Sequence, residues 1–236
     1  MNPALAAVAI AILAGAVAAV FVRDARLAIL SLAVVTLTAP FLADPIAAGS
    51  GLAARVLAAV LATYLLWIAV RDGAFQTGGS RLGWPADSLV ASAAAVVGFA
   101  AHGLGAPTHG PAFASAVGFG LAALSIAPLL TGWDVLRVGI GLTLLLQGAL
   151  LVRVGLGGTP STLEELVTAG AIAVLGGAIA VLAMAARSDG TAGFELADEL
   201  PARRRRLTDL RPDARPDPQP DAWSAGRSPE QSPERP

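Results

Sequence analysis

Residues 139–182, "GIGLTLLLQGALLVRVGLGGTPSTLEELVTAGAIAVLGGAIAVL", decide what kind of molecule this is. Two apolar runs flank a short polar turn, and each run approaches the roughly 20 residues that cross a bilayer core as a helix. Yet the stretch also carries Gln147, Arg153 and the adjacent Glu164 and Glu165. It is either lipid-facing packing material or two helices of an ion-moving machine, and the rest of the chain weighs on that choice.

The composition around it is of one kind. Of 236 residues, 55% are hydrophobic and only 14% charged, with a mean hydropathy of +0.68. A soluble domain carries about 25% charged residues, and no globular core explains apolar runs so long and so closely spaced. The composition implies a polytopic membrane protein. With no cysteine, disulfides, thiolate zinc sites, iron–sulfur clusters and cysteine nucleophiles are excluded. Two histidines, His102 and His109, are too few for a His-rich metal or haem site. Every basic residue is Arg, which together with the Ala and Gly content points to a GC-rich bacterial genome. The first apolar stretch has no basic segment before it and is long for a signal peptide, so it reads as a first membrane helix.

Hydropathy gives seven spans, at about 3–22, 27–48, 52–70, 88–106, 112–131, 135–153 and 164–186. The fourth is the weakest, being rich in small residues and ending on His102. The second is broken near its end by Pro40 and "DPIAAGSG", where Asp44 marks the interface. With the N-terminus outside, the inner segments hold Arg23, Arg26, Arg71, Arg81, Arg137, Arg187 and the run Arg203, Arg204, Arg205, Arg206, against Arg55 and Arg153 outside. Positive charge concentrated on cytoplasmic loops is what the insertion machinery favours. The expected location is therefore a bacterial inner (cytoplasmic) membrane, with the C-terminus cytoplasmic.

Two domains follow: a transmembrane helical region over 1–187 and a Pro-, Arg- and Asp-rich tail over 188–236, expected to be disordered because it has too little apolar surface to order itself. The four tail arginines read either as a topology anchor at the cytoplasmic surface or as a docking site for lipid head groups or a partner. An internal echo links "RDARLAILSL" (23–32) to "WDVLRVGIGL" (133–142), and "LLWIAVRDG" (65–73) to "VLAMAARSDG" (181–190). It is either a parallel three-helix duplication with the fourth span as connector, or chance similarity between Ala-rich helices. The fold class is all-α, integral to the membrane.

Ionisable groups inside membrane spans are candidates for function. Arg55 lies about one turn inside the third span, as an interfacial anchor or in a buried ion pair, for which Asp44 is the expected partner. Gln147 is central in the sixth span with Thr143 one turn before it. They are expected to hydrogen-bond across to a neighbouring helix, a contribution of about 0.6 kcal/mol each, or to line a water wire. His102 reads as a partly solvated interfacial residue or a proton relay. Glu164 and Glu165 follow Ser161 and Thr162 and are expected to cap the seventh helix and complement its dipole. The small residues at 169–171, 173, 176–178 and 180 permit close helix approach. Neither a phosphate loop nor a Ser/His/Asp arrangement is present, so no catalytic, cofactor or metal residue is assigned and no nucleic-acid partner is expected.

The stretches "VLRVGIGLTLLLQGALLV" (135–152) and "LEELVTAGAIAVLGGAIAVLAMAAR" (163–187) resemble the small K-chain-type membrane subunit of respiratory complex I. They also resemble the E component of complex I-like membrane-bound hydrogenases, nearest in layout, and the C component of multisubunit sodium/proton antiporters. The resemblance implies an accessory membrane-arm subunit of such an oxidoreductase, hydrogenase or antiporter, with antiporter-like integral subunits and the lipid bilayer as partners. Such a subunit is expected to support the membrane arm and help line a proton path. The departures are specific: K-type chains carry membrane glutamates, whereas the position after "GIGL" is Thr143 and none stands among Ala173 to Gly177. Gln147 stands where that family often has Asn. The other readings are a small transporter or channel, and a scaffold recruiting a cytoplasmic partner through its Arg-rich tail.

Overall fold

The computed structural model describes residues 3–22, 24–43, 49–71, 84–100, 111–132 and 134–188. They form seven helices: α1 Pro3–Phe21, α2 Ala25–Thr38, α3 Gly49–Arg71, α4 Trp84–Ala100, α5 Ala112–Thr131, α6 Val135–Gly157 and α7 Thr162–Ser188. Among the described residues the all-helical expectation holds, and each span read from hydropathy overlaps one of these helices; the far ends of the second and fourth spans, 44–48 and 101–106, lie outside the described residues. Six are long and apolar enough to cross a membrane, with α2 counted through Leu42; α4 is the exception. Asp44, His102 and the tail from 189 onward, with Arg203 to Arg206, lie outside the described residues.

The helix ends follow from local chemistry. Asp24 precedes α2 and accepts a hydrogen bond from the Arg26 N–H at 2.9 Å; Asp134 precedes α6 and accepts one from the Leu136 N–H at 3.2 Å. Each carboxylate satisfies one of the donors that a helix start leaves free. The two Asp residues of the sequence echo thus do the same work at the same end of their helices. At α7 the cap is reciprocal: Ser161 Oγ accepts from the Glu164 N–H at 3.3 Å, and Glu164 Oε2 accepts from the Ser161 N–H at 2.8 Å. The second span breaks where Pro40 was expected to break it. Pro40 has no N–H to continue the ladder, and the chain tightens into a 3-10 turn over Ala39–Leu42.

Asp134 is largely buried, and burial pushes its carboxyl above the ordinary value, against the opposing pull of the Leu136 N–H and of Arg137. A raised folded-state value means that this group alone favours the fold most at low pH, and that its contribution falls as pH rises through its titration. Asp134→Ala should lower stability by about 1 kcal/mol through loss of the cap. Asp134→Asn keeps an acceptor without the charge and should match or exceed the parent at neutral pH. Thermal unfolding of the detergent-solubilised pair checks both.

Helix–helix packing in an apolar solvent depends on close contact rather than on water exclusion, and alanine and glycine stand among Ile, Leu and Val on the buried faces. A close crossing joins α5 to α6, where Gly118 faces Gly148. A Cβ on Gly118 would fall 2.6 Å from the Val152 nitrogen and 2.7 Å from the Gly148 oxygen, so the two backbones touch directly. Gly118→Ala should therefore push the helices apart, costing about 1–3 kcal/mol as an overpacked core does, measurable as a fall in melting temperature.

Contacts also fix the helix directions. Ser115 faces Gly155 and Pro128 faces Gly141, so α5 and α6 are antiparallel; Gly139 faces Ile179 and Arg153 reaches Glu164, so α6 and α7 are antiparallel. Gly51 faces Glu165 and Ala62 faces Gly176, so α3 and α7 run in the same direction. The Arg26 guanidinium donates to the Arg71 carbonyl at 2.8 Å, which puts the start of α2 beside the end of α3. The helix α1 lies against α2 and α5, α2 against α1 and α3, and α3 against α7. One end of the bundle then holds Asp24, Arg26 and Arg71, with Asp134 and Arg137 at the start of α6; the other holds Arg55, Arg153, Glu164 and Glu165.

Candidate functional site

The long seam between α3 and α7 positions the charged groups of that second end. On α7 the buried positions are 165, 169, 172, 176, 179, 180 and 183, all but 180 spaced alternately by four and three residues; on α3 they include 51, 55, 58, 62, 66 and 69. This is the spacing of two helices wound side by side. Ala58, Ala62, Ala169 and Ile172 fill the middle of the seam. Its first positions hold Gly51, Arg55 and Glu165. Gly51 is required there: a Cβ would sit 2.9 Å from the Glu165 Cβ, so only glycine leaves room for that side chain's stem.

Arg55 and Glu165 are consequently buried, at 4% and 3% exposure, and form an ion pair with 3.3 Å between Nη1 and Oε1. This separation exceeds the roughly 2.7–2.9 Å of a strong charge-assisted hydrogen bond. Among the described residues it is also the pair's only hydrogen bond: Arg55 Nε and Nη2 and Glu165 Oε2 are buried without partners there. Beside it, Arg153 donates to Glu164 at 2.7 Å in a second ion pair, about half exposed at 46% and 45%. Both pairs border a cleft of about 300 Å³ whose other walls are mostly apolar, among them Leu150, Val154, Leu163 and Val167, together with Thr168.

The expectations for these residues divide. Glu164 caps α7 as read, through Ser161. Glu165 does not serve as a helix-dipole acid alone; its carboxylate leaves the α7 surface to meet α3. Arg55 is a buried ion-pair member, not a snorkelling anchor, and its carboxylate is Glu165 rather than the expected Asp44. One signal for this pairing was present in the sequence. Glu165 continues the 169, 172, 176 register of α7 backward by four, and Arg55 continues the 58, 62 register of α3 backward by three.

Gln147 and Thr143 are also corrected. Both are buried on α6, Gln147 completely. Thr143 Oγ1 bonds its own helix, donating to the Gly139 carbonyl at 2.9 Å. Among the described residues, neither Gln147 Oε1 nor Nε2 has a hydrogen-bond partner, so the hydrogen bonds across to a neighbouring helix are not formed there. Ser115, Ser125 and Thr36 likewise bond carbonyls three or four residues earlier in their own helices, the usual way a hydroxyl is satisfied in an apolar bundle. Among the described residues, no group of three or more His, Cys, Asp or Glu is placed to hold a metal ion.

Comparison of the chain with protein-family models, with curated proteins and with solved structures gives no match. Fold and site together define a class: an all-helical protein with six helices of membrane-crossing length and paired charges at one end of the bundle.

Proposed function

We propose that this chain is an accessory integral subunit of a complex I-like oxidoreductase, hydrogenase or cation/proton antiporter assembly, packing within the membrane arm without itself carrying the proton. The observation that carries the reading is the kind of polar group found inside the bundle. Among the described residues, the buried polar side chains away from helix ends are Thr36, Ser125, Thr143 and Gln147, none of which titrates. The buried charged ones, Arg55, Asp134 and Glu165, lie within two turns of a helix start, and Arg55 and Glu165 are paired with each other. A proton carrier needs a group that changes charge near working pH inside the membrane. The 139–182 hairpin packs against its neighbours instead. Reconstituted alone in liposomes under an imposed pH gradient, the full chain should leave proton flux at the level of protein-free vesicles. Flux rising with protein dose would replace this reading with a transporter.

The same proposal holds that the chain crosses the membrane seven times. The end of α3 and the start of α5 lie at opposite ends of the bundle, because α3, α5 and α7 run the same way. The chain between Arg71 and Ala112 has to return across the layer, and α4 is the helix available to do so. The parallel placement of α1 beside α5 and of α3 beside α7, with the matching Asp caps of α2 and α6, supports a three-helix duplication with α4 as connector. The end bearing Arg26, Arg71 and Arg137 is cytoplasmic, since positive charge is retained inside. Each arginine at the other end is neutralised by a glutamate. A reporter enzyme active only in the cytoplasm should work when fused after Arg187 and be silent when fused after Gly110; the reverse pattern overturns the orientation.

A further inference from the structure

The cleft beside the Arg55–Glu165 pair has a chemistry that the proposed packing role does not use. A buried ion pair is favourable only when its remaining donors and acceptors are also satisfied, and here two arginine nitrogens and one carboxylate oxygen are left over. The region carries two arginines and two glutamates, so its formal charge is zero. A group that completes it must offer an acceptor to a guanidinium and a donor to a carboxylate, and must not bring net charge. The volume of about 300 Å³ corresponds to roughly ten waters at about 30 Å³ each, more than one bridging water needs.

Depth and wall chemistry narrow the choice. Twenty-seven residues of α7 span about 40 Å at 1.5 Å per residue, the thickness of a bilayer with its head groups rather than of the hydrocarbon core alone. Glu165, in the first turn, therefore lies at head-group level, with Arg55 beside it. The apolar cleft walls continue onto the outer surface of α7, where Leu163 and Val167 are 72% and 65% exposed. An apolar surface leading away from a neutral, doubly charged pocket suits a molecule with chains on one side and a zwitterion on the other.

The geometry points to this cleft as a binding site for a zwitterionic aminophospholipid, its phosphate oxygens accepting from Arg55 and Arg153 and its primary ammonium donating to Glu165 and Glu164. The inference rests on the membrane-spanning reading but not on membership of any assembly. The test is thermal unfolding of the full chain in detergent, titrated with phosphatidylethanolamine, phosphatidylcholine, phosphatidylglycerol or soluble phosphoethanolamine. Phosphatidylethanolamine should raise the melting temperature by about 5 °C near saturation. Phosphatidylcholine, whose quaternary ammonium has no N–H to donate, and anionic phosphatidylglycerol should give little. The double substitution Arg55→Met with Glu165→Met, and separately Arg153→Gln with Glu164→Gln at the exposed pair, should each remove the difference between lipids.

Equal shifts with all three lipids, or a shift that survives both double substitutions, would overturn the site. A full shift from soluble phosphoethanolamine would make it a site for a soluble solute rather than a lipid, and would overturn the assignment as well. Retention of the chain in carbonate-washed membranes tests the membrane reading independently. A retained chain without lipid selectivity defeats the inference alone, and a chain released by carbonate defeats both.

Discussion

Arg55→Met and Glu165→Met are each expected to lower the unfolding free energy by about 3–5 kcal/mol, and the two together to restore most of the loss. Removing one member of a buried ion pair leaves the other charge in an apolar setting with nothing to balance it. Removing both substitutes two apolar side chains, which commonly match or exceed the stability of the pair they replace. The seam geometry predicts the coupling: Glu165 and Arg55 face each other across α3 and α7 with Gly51 holding the approach open. Denaturant or thermal unfolding of the four proteins in one detergent gives a double-mutant cycle. Losses that simply add would mean that the two residues do not interact, and that the α3–α7 register is wrong.

The second large effect has the opposite sign. Gln147→Leu, with Gln147→Met as its unbranched counterpart, should raise stability by about 1–3 kcal/mol, the desolvation cost of a buried polar group left without a partner. Both amide atoms of Gln147 are in that condition, and an apolar side chain of similar size removes the cost without opening a cavity. Reading the sequence alone gives the contrary expectation, a loss, because polar residues in membrane helices usually bond a neighbour. Unfolding curves of the two variants decide between them. If either variant were stable and assembled but stopped ion movement by a parent complex, Gln147 would belong to the path and the packing role of α6 would fall.

The contrast between these residues shows what the sequence made legible. Span positions follow from the length of apolar runs, a property of consecutive residues, so six of the seven helices emerge with sufficient length and hydropathy. The caps at Asp24, Asp134 and Ser161 are equally local, each involving residues two or three apart. The Arg55–Glu165 pair joins residues 110 apart, and hydropathy carries no information about which helices adjoin. Asp44 is the partner the sequence suggests because both residues sit near the outer face. Small residues were legible as a composition but not as a face: Ala169, Gly176 and Ala180 are buried, whereas Gly170, Ala171 and Ala178 are exposed. The packing of α7 against its neighbours separates them. The want of a partner for Gln147 depends on what stands opposite it, which no feature of α6 alone reveals.

The most direct test of the central proposal is the mass of the intact particle that contains this chain, extracted from its native membrane in mild detergent and weighed by native mass spectrometry. The account predicts a particle far heavier than the 23.6 kDa chain, with large antiporter-like membrane subunits present in fixed proportion to it. A particle made of this chain alone, or of copies of it, would contradict the account and leave an independent membrane protein in place of a subunit.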